Sequence, residues 1–294
     1  MITIIFMYAV LAISFTVAKT ALSYATPYFL IGFRMITAGT IFLSIQYVFD
    51  RKNFFLRKKD IGPLLWVTLF YIYLAFIPEF WALQKLSSSK VVIIYSITPF
   101  IAAAFAYFLA NERFSFKKIV GMLIGFGGII PILMTHNLAG QAKEIFYISS
   151  REAVLLIAVV SAAYAWFPLK KLLNKGYKLP MINGVTMLAG GIGAMITSFV
   201  VEGVTATHVY SLKPFLFWTL LLIFLSNGIF YNMYGWHLRK YSFTILAFAG
   251  CTCPIFGSFF GWFFLSEPIT WHHFLSLALI SAGLYLFYQE ELVR

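Results

Sequence analysis

Charge is scarce in this chain: 11% of its 294 residues are charged, ten are acidic, and the only aspartates are Asp50 and Asp60. A soluble protein carries about 25% charged residues because water must hydrate its surface. With 61% hydrophobic and 19% aromatic residues, the chain cannot cover a water-facing globule of its own size, which excludes a soluble fold. Cysteine is equally sparse, with Cys251 and Cys253 inside one apolar run. Two apart on a helix, they point about 200° from each other, so neither a disulfide nor a shared metal is expected. No G-x-x-x-x-G-K-[ST] and no H-E-x-x-H occurs, which removes the usual nucleotide-hydrolysing loop and one zinc-protease pattern. His272 and His273 are adjacent and poorly placed to chelate one ion, so no metal and no cofactor is expected. Both aspartates fall in one loop, leaving no intramembrane aspartyl pair for catalysis. The net charge of +12 sits in short basic runs between apolar segments, a topology signal and not a nucleic-acid surface.

What remains is apolar length. A helix crosses the hydrocarbon in about 20 residues, and runs of that order lie near 2–18, 29–49, 62–83, 91–110, 117–134, 153–169, 181–201, 214–236, 242–265 and 271–288. Continuous runs, not alternating ten-residue strands, exclude a β-barrel. The first run lacks a basic leader and a small-residue cleavage site, so it reads as a retained span. Loops on the side of both termini hold 15 lysines and arginines against 6 opposite, with Arg34 inside a span. The excess predicts cytoplasmic termini and a multi-pass inner (plasma) membrane protein.

The chain also repeats itself. A shift of 155 residues aligns 81–128 with 236–283 without a gap, superposing Trp81 on Trp236, Pro99 on Pro254, Glu112 on Glu267 and Gly128 on Gly283. Ala102 and Ala106 fall on Gly257 and Gly261, a small-residue helix-contact spacing. Five spans per repeat is an odd number, so the second half, 150–290, is expected upside down relative to the first, 1–136. Inverted repeats are typical of secondary transporters, with substrate held between the halves.

The segment 81–133 and its echo 236–286 resemble the drug/metabolite transporter superfamily, EamA type. The resemblance rests on Pro99 and Pro254 in the fourth and ninth spans, Glu112 and Glu267 after them, Gly128 and Gly283 in the following spans, and Arg34 in the second. It implies ten spans in two five-span repeats and transport of amino acids and related metabolites, nucleotide-derived compounds or vitamins, by import or export.

Several residues invite chemical roles. Pro99 and Pro254 would each free a backbone carbonyl in mid-membrane, at Tyr95 and Gly250, making hinges, substrate-facing bends or static kinks. Glu112 and Glu267 are expected to fix helix corners at hydrated, interfacial depth, with Ser115 and Thr270 as N-caps of the next helices. Glu79 lies about four residues, roughly 6 Å, inside its span, with Arg34 at similar depth. Either the two form a structural pair or snorkel independently, or Glu79 meets a cationic group of a substrate or a proton. Asn227, Tyr231 and Tyr234 are spaced i, i+4 and i+7, one face of an α-helix, and the shift places Tyr234 on Glu79 and Ser226 on Tyr71. Glu79, Tyr71, Asn227, Tyr231 and Tyr234, with Tyr95 and Trp166, are the candidate substrate-binding set, suited to stacking or cation–π contact. Trp81 is a further candidate for the same wall or, with Trp236, an interfacial anchor. Arg34, Gly128 and Gly283 are assigned structural roles.

The expectation is therefore an all-α secondary transporter and not an enzyme, since an intramembrane transferase would need clustered acid–base groups and only Glu79 qualifies. Its partners are a small-molecule substrate and the lipid bilayer; nothing in the sequence demands an oligomer. One acid among aromatics fits a zwitterion or cation carrying a flat ring, such as S-adenosylmethionine or an aromatic amino acid.

Overall fold

The computed structural model describes residues 2–110, 115–128, 130–133, 149–204, 207–240, 246 and 250–289. Among the described residues the chain is helical, with no strand and a single antiparallel bridge between Ala25 and Val209. The helices are α1 (Ile2–Ala21), α2 (Pro27–Phe49), α3 (Ile61–Val67), α4 (Leu74–Leu83), α5 (Ser88–Tyr95), α6 (Thr98–Ala110), α7 (Phe116–Gly127) and α8 (Ile130–Leu133). They continue with α9 (Ser150–Asn174), α10 (Leu179–Val201), α11 (Leu212–Leu222), α12 (Tyr231–Lys240), α13 (Cys253–Leu265) and α14 (Trp271–Tyr288). A π-helical stretch, Thr68–Tyr73, joins α3 to α4, and another, Ile223–Phe230, joins α11 to α12.

Seven of these continuous helical stretches are long and apolar enough to cross a membrane, which makes this an all-α, multi-pass membrane protein. Three further apolar runs of the sequence are described otherwise. The run 117–134 is α7 and α8, separated by a residue outside the description, and most of 242–252 also lies outside it, leaving α13. Helix α14 has the length, but His272 and His273 in its first turn lower its hydropathy.

Packing follows small residues. α2 lies along α10, where a Cβ on Gly39 would meet Leu188 N at 2.6 Å and Gly184 O at 2.9 Å. α7 lies along α14, where a Cβ on Gly283 would sit 2.5 Å from Gly125 N, and one on Gly128 would strike Ile280. Without these glycines neither helix pair could approach so closely. Other contacts come in pairs related by the repeat. α1 packs on α13 as α9 packs on α6, and α1 packs on α11 and its π stretch as α9 packs on α3, α4 and theirs.

The prolines differ from expectation. Pro99 and Pro254 do not kink helix interiors; each is the second residue of a new helix, α6 or α13, after the chain has broken at 96–97 or turned through Gly250–Thr252. There the missing N–H has no intrahelical partner to lose. The Thr98 hydroxyl donates to the carbonyl of Tyr95 at 2.5 Å, so that carbonyl is satisfied within the protein. The prolines that do stand inside helices are Pro78 in α4 and Pro168 in α9. Neither stood out in the sequence.

Candidate functional site

A cavity opens between α1, the stretch from α3 to α4, the α5–α6 break, α9 and the stretch from α11 to α12, with Arg34 reaching in from α2. Thr68–Tyr73 and Ile223–Phe230 begin 155 residues apart, so the two π stretches occupy equivalent repeat positions. Such widened turns rotate the residues that follow and recur at functional sites. They set the wall: Tyr71 sits in the first, Ser226 in the second, and Tyr231 opens the α-helix after it.

The aromatic part of the wall is continuous. Trp166 stacks on Tyr234 with centroids 3.9 Å apart. Tyr71 stands edge-on to both Trp166, at 5.1 Å, and Tyr231, at 5.0 Å. The Tyr71 hydroxyl is buried and has no hydrogen-bond partner among the described residues. The polar part lies beside it. Glu79 Oε2 accepts from the Tyr95 hydroxyl at 2.6 Å, and Phe15 packs on the Tyr95 ring. Arg34 donates through Nε to Asn227 Oδ1 at 2.8 Å and through Nη2 to Ser226 Oγ at 2.6 Å. Its guanidinium lies 4.9 Å from the centroid of Phe76, a cation–π contact in a desolvated setting.

Of the candidate set, Glu79, Tyr71, Tyr95, Trp166, Tyr231 and Tyr234 all line this one cavity. Asn227 does not: the π stretch breaks the i, i+4, i+7 face, and Asn227 instead anchors Arg34 and leans its amide toward the sulfurs of Met35 and Met187. Arg34 is part of the cavity wall and forms no ion pair with Glu79, so of the alternatives for these two residues the direct pair is not the one seen. Trp81 lies away from the cavity, with the Arg151 guanidinium 3.6 Å above its ring; Trp236 is half exposed, with Lys240 at 3.7 Å. Pro99 lines the cavity and Pro254 does not. Glu112 lies outside the described residues.

Glu267 departs from the hydrated corner expected of it. It is buried, and accepts from Ser88 N at 2.6 Å, Ser88 Oγ at 3.0 Å, Ser89 N at 3.0 Å and Ser89 Oγ at 2.6 Å. It therefore caps α5, a helix of the other half of the chain, whose first N–H groups lack intrahelical partners. Gly261 leaves room for this, since a Cβ there would lie 2.4 Å from Glu267 Oε2. Ser115 and Thr270 cap α7 and α14 as the sequence predicts. Sequence reasoning missed two similar carboxylates. Glu202 caps α2 through Tyr28 N at 2.8 Å and Phe29 N at 3.2 Å, while also accepting from Thr26 and Ser198. Glu152 closes a capping box with Ser149 and pairs with Lys90. The capping box was legible as S-x-x-E; the long-range cap of Glu202 has no local signal. Among the described residues no cluster of His, Cys, Asp or Glu could hold a metal.

A helical membrane protein with a cavity of aromatic rings and two charged side chains among its helices belongs with small-molecule carriers. The chain belongs to the EamA-like transporter family, whose model matches residues 1–134 and 150–289, and so to the drug/metabolite transporter superfamily that the sequence resembles. It is similar to the S-adenosylmethionine/S-adenosylhomocysteine transporter of Chlamydia muridarum, at 31% identity over 95% of this chain and 88% of that protein. The like-named protein of Chlamydia trachomatis serovar L2 is also 31% identical, over 95% and 85%. The uncharacterized transporter YoaV of Bacillus subtilis is 23% identical over 88% and 86%. A solved structure described only as "Crystal structure of protein" shares the fold, with a TM-score of 0.63 over 97% of this chain and 93% of its own at 13% identity.

Proposed function

We propose that the chain is a secondary transporter that exchanges S-adenosylmethionine-class metabolites across the inner membrane by alternating access. It would cross the bilayer ten times, as two inverted five-helix repeats, 1–136 and 150–290, with both termini in the cytoplasm. The repeat-related helix contacts and the matched π stretches support the inverted arrangement. Two halves of one fold, inverted, give inward- and outward-open states of similar energy around a shared site.

The observation that carries the substrate class is the cavity, whose wall holds the Glu79 carboxylate together with Trp166, Tyr231 and Tyr234. A sulfonium or ammonium gains from a carboxylate and from aromatic faces together, and a flat base stacks on the same rings. The relatives named for S-adenosylmethionine and S-adenosylhomocysteine point the same way. The test is counterflow in proteoliposomes loaded with unlabelled compound. Labelled S-adenosylmethionine should accumulate when S-adenosylmethionine or S-adenosylhomocysteine is inside. Accumulation driven only by aromatic amino acids, riboflavin or nucleotides would replace the proposed substrate.

A further inference from the structure

The cavity holds two buried groups of opposite charge that do not neutralise each other. Arg34 is 1% exposed and Glu79 is 6% exposed, yet each is steadied by neutral partners. Arg34 uses Nε and Nη2 on Asn227 and Ser226, and Glu79 uses Oε2 on Tyr95. One Nη of Arg34 and Oε1 of Glu79 are left without a hydrogen bond among the described residues, and both side chains line the same space. Phe76, whose ring carries the guanidinium, lies one turn before Glu79 on α4, so the two charges neighbour each other across one helix face.

Unlike charges in a desolvated site attract strongly, and a buried charge with an open valence is costly until something meets it. Two such charges, held apart by their own tethers, match a ligand that carries both signs on one carbon. We propose that Arg34 and Glu79 form a head-group subsite for an α-amino-acid zwitterion. Arg34 takes the α-carboxylate and Glu79 the α-ammonium, while the rest of the molecule extends along Tyr71, Trp166 and Tyr231. This rests on the cavity being the transport site and narrows its substrates to molecules with an amino-acid end. Asn227 and Ser226 act as positioning residues, holding the guanidinium plane toward the cavity.

The test is calorimetric binding to the purified full chain with probes that differ only in the head group. S-adenosylhomocysteine is compared with 5′-methylthioadenosine, which keeps ring and thioether but lacks both charges. Methionine is compared with 3-methylthiopropylamine and 4-methylthiobutanoate, which lack the carboxylate and the ammonium in turn. Each lost charge should weaken binding on the order of tenfold or more, and both together on the order of a hundredfold. Glu79→Gln should abolish the preference for methionine over 4-methylthiobutanoate and keep that over the amine; a purely structural Glu79 would weaken all probes alike. Arg34→Lys should retain part of the preference for a carboxylate. If S-adenosylhomocysteine and methylthioadenosine bind alike, the zwitterion subsite falls and the adenosyl reading stands. If only the methionine series binds and discriminates, the subsite stands and the adenosyl reading falls. No discrimination in either series, including no binding at all, overturns the subsite.

Discussion

Glu79 and Glu267 are the same residue type, both buried, and they differ in how fully they are used. Glu267 accepts four hydrogen bonds from Ser88 and Ser89, and Glu202 is similarly occupied at the start of α2. Glu79 accepts one among the described residues, from Tyr95. The saturated carboxylates stand at the end of the bundle where α2, α5 and α9 begin; the unsaturated one faces the cavity. A carboxylate that is saturated holds the fold, and one left open is available to a ligand. Burial alone does not separate the two roles, but the hydrogen-bond inventory does.

Removing a saturated carboxylate should therefore have the largest effect. Glu267→Ala leaves the N–H groups of Ser88 and Ser89 dehydrated without an acceptor, at a cost of about 1–3 kcal/mol each. The variant should lose most of its monodisperse yield in detergent, and Glu202→Ala should behave alike. Glu267→Gln keeps one acceptor oxygen and should recover part of the yield. Wild-type yield from Glu267→Ala would mean that water enters this end of the bundle, and the contrast with Glu79 would fail.

Glu79→Gln should do the reverse. The amide oxygen still accepts from Tyr95, so folded yield should match the wild type, while uptake drops on the order of tenfold to a hundredfold, the worth of one charge-assisted hydrogen bond. Tyr231→Phe should cost much less than Tyr231→Ala if the ring face carries the contact. Loss of yield in Glu79→Gln would move Glu79 to the structural class.

How much of this was legible follows the same division. The helical membrane class came from charge scarcity and run length, and the structural roles of Gly128 and Gly283 from the repeat, because these are properties of composition and spacing; that they bring α7 against α14 is a tertiary fact. Six of seven candidate cavity residues line the cavity; the 155-residue shift pointed to Glu79, Tyr71 and Tyr234, and helical spacing to Tyr231. Asn227 was misplaced because an i, i+4, i+7 face assumes α-helical pitch, and no residue pattern announced a π stretch. Arg34 was read as structural because span depth gives no azimuth around the helix. Glu267 was placed at a corner, but that it reaches Ser88, 179 positions away in sequence, is a tertiary fact without a local signature.

The prolines should give a smaller effect that sharpens the contrast between holding and moving. Pro99 and Pro254 stand in first turns, where alanine loses little, so Pro99→Ala and Pro254→Ala should shift stability by less than about 1 kcal/mol. If the α5–α6 break and its counterpart flex during transport, uptake should still fall several-fold in each. Thermal melting and uptake measured together decide it, and full uptake in the double variant would retire the hinge.

The smallest effect is expected at the opposite end of the bundle, where the only described ion pair joins Asp60 to Lys175 at 2.5 Å. Asp60 also accepts from the Tyr177 hydroxyl at 3.1 Å, and that hydroxyl in turn accepts from Arg57 N at 3.1 Å. Asp60 is fully covered, but the Lys175 side chain is 45% exposed, so water competes for the ammonium and salt screens it. Unlike Glu267, Asp60 has no backbone N–H to leave stranded in this network. Asp60→Asn keeps an acceptor for Tyr177 and should lower the melting temperature by at most a few degrees, with uptake nearly unchanged. The wild-type margin over the variant should shrink as salt rises, because only the screened part of the interaction differs between them. A collapse of yield in Asp60→Asn, on the scale expected of Glu267→Ala, would show that one half-exposed pair holds this end as firmly as four hydrogen bonds hold the other, and would break the rule that saturation marks the structural carboxylates.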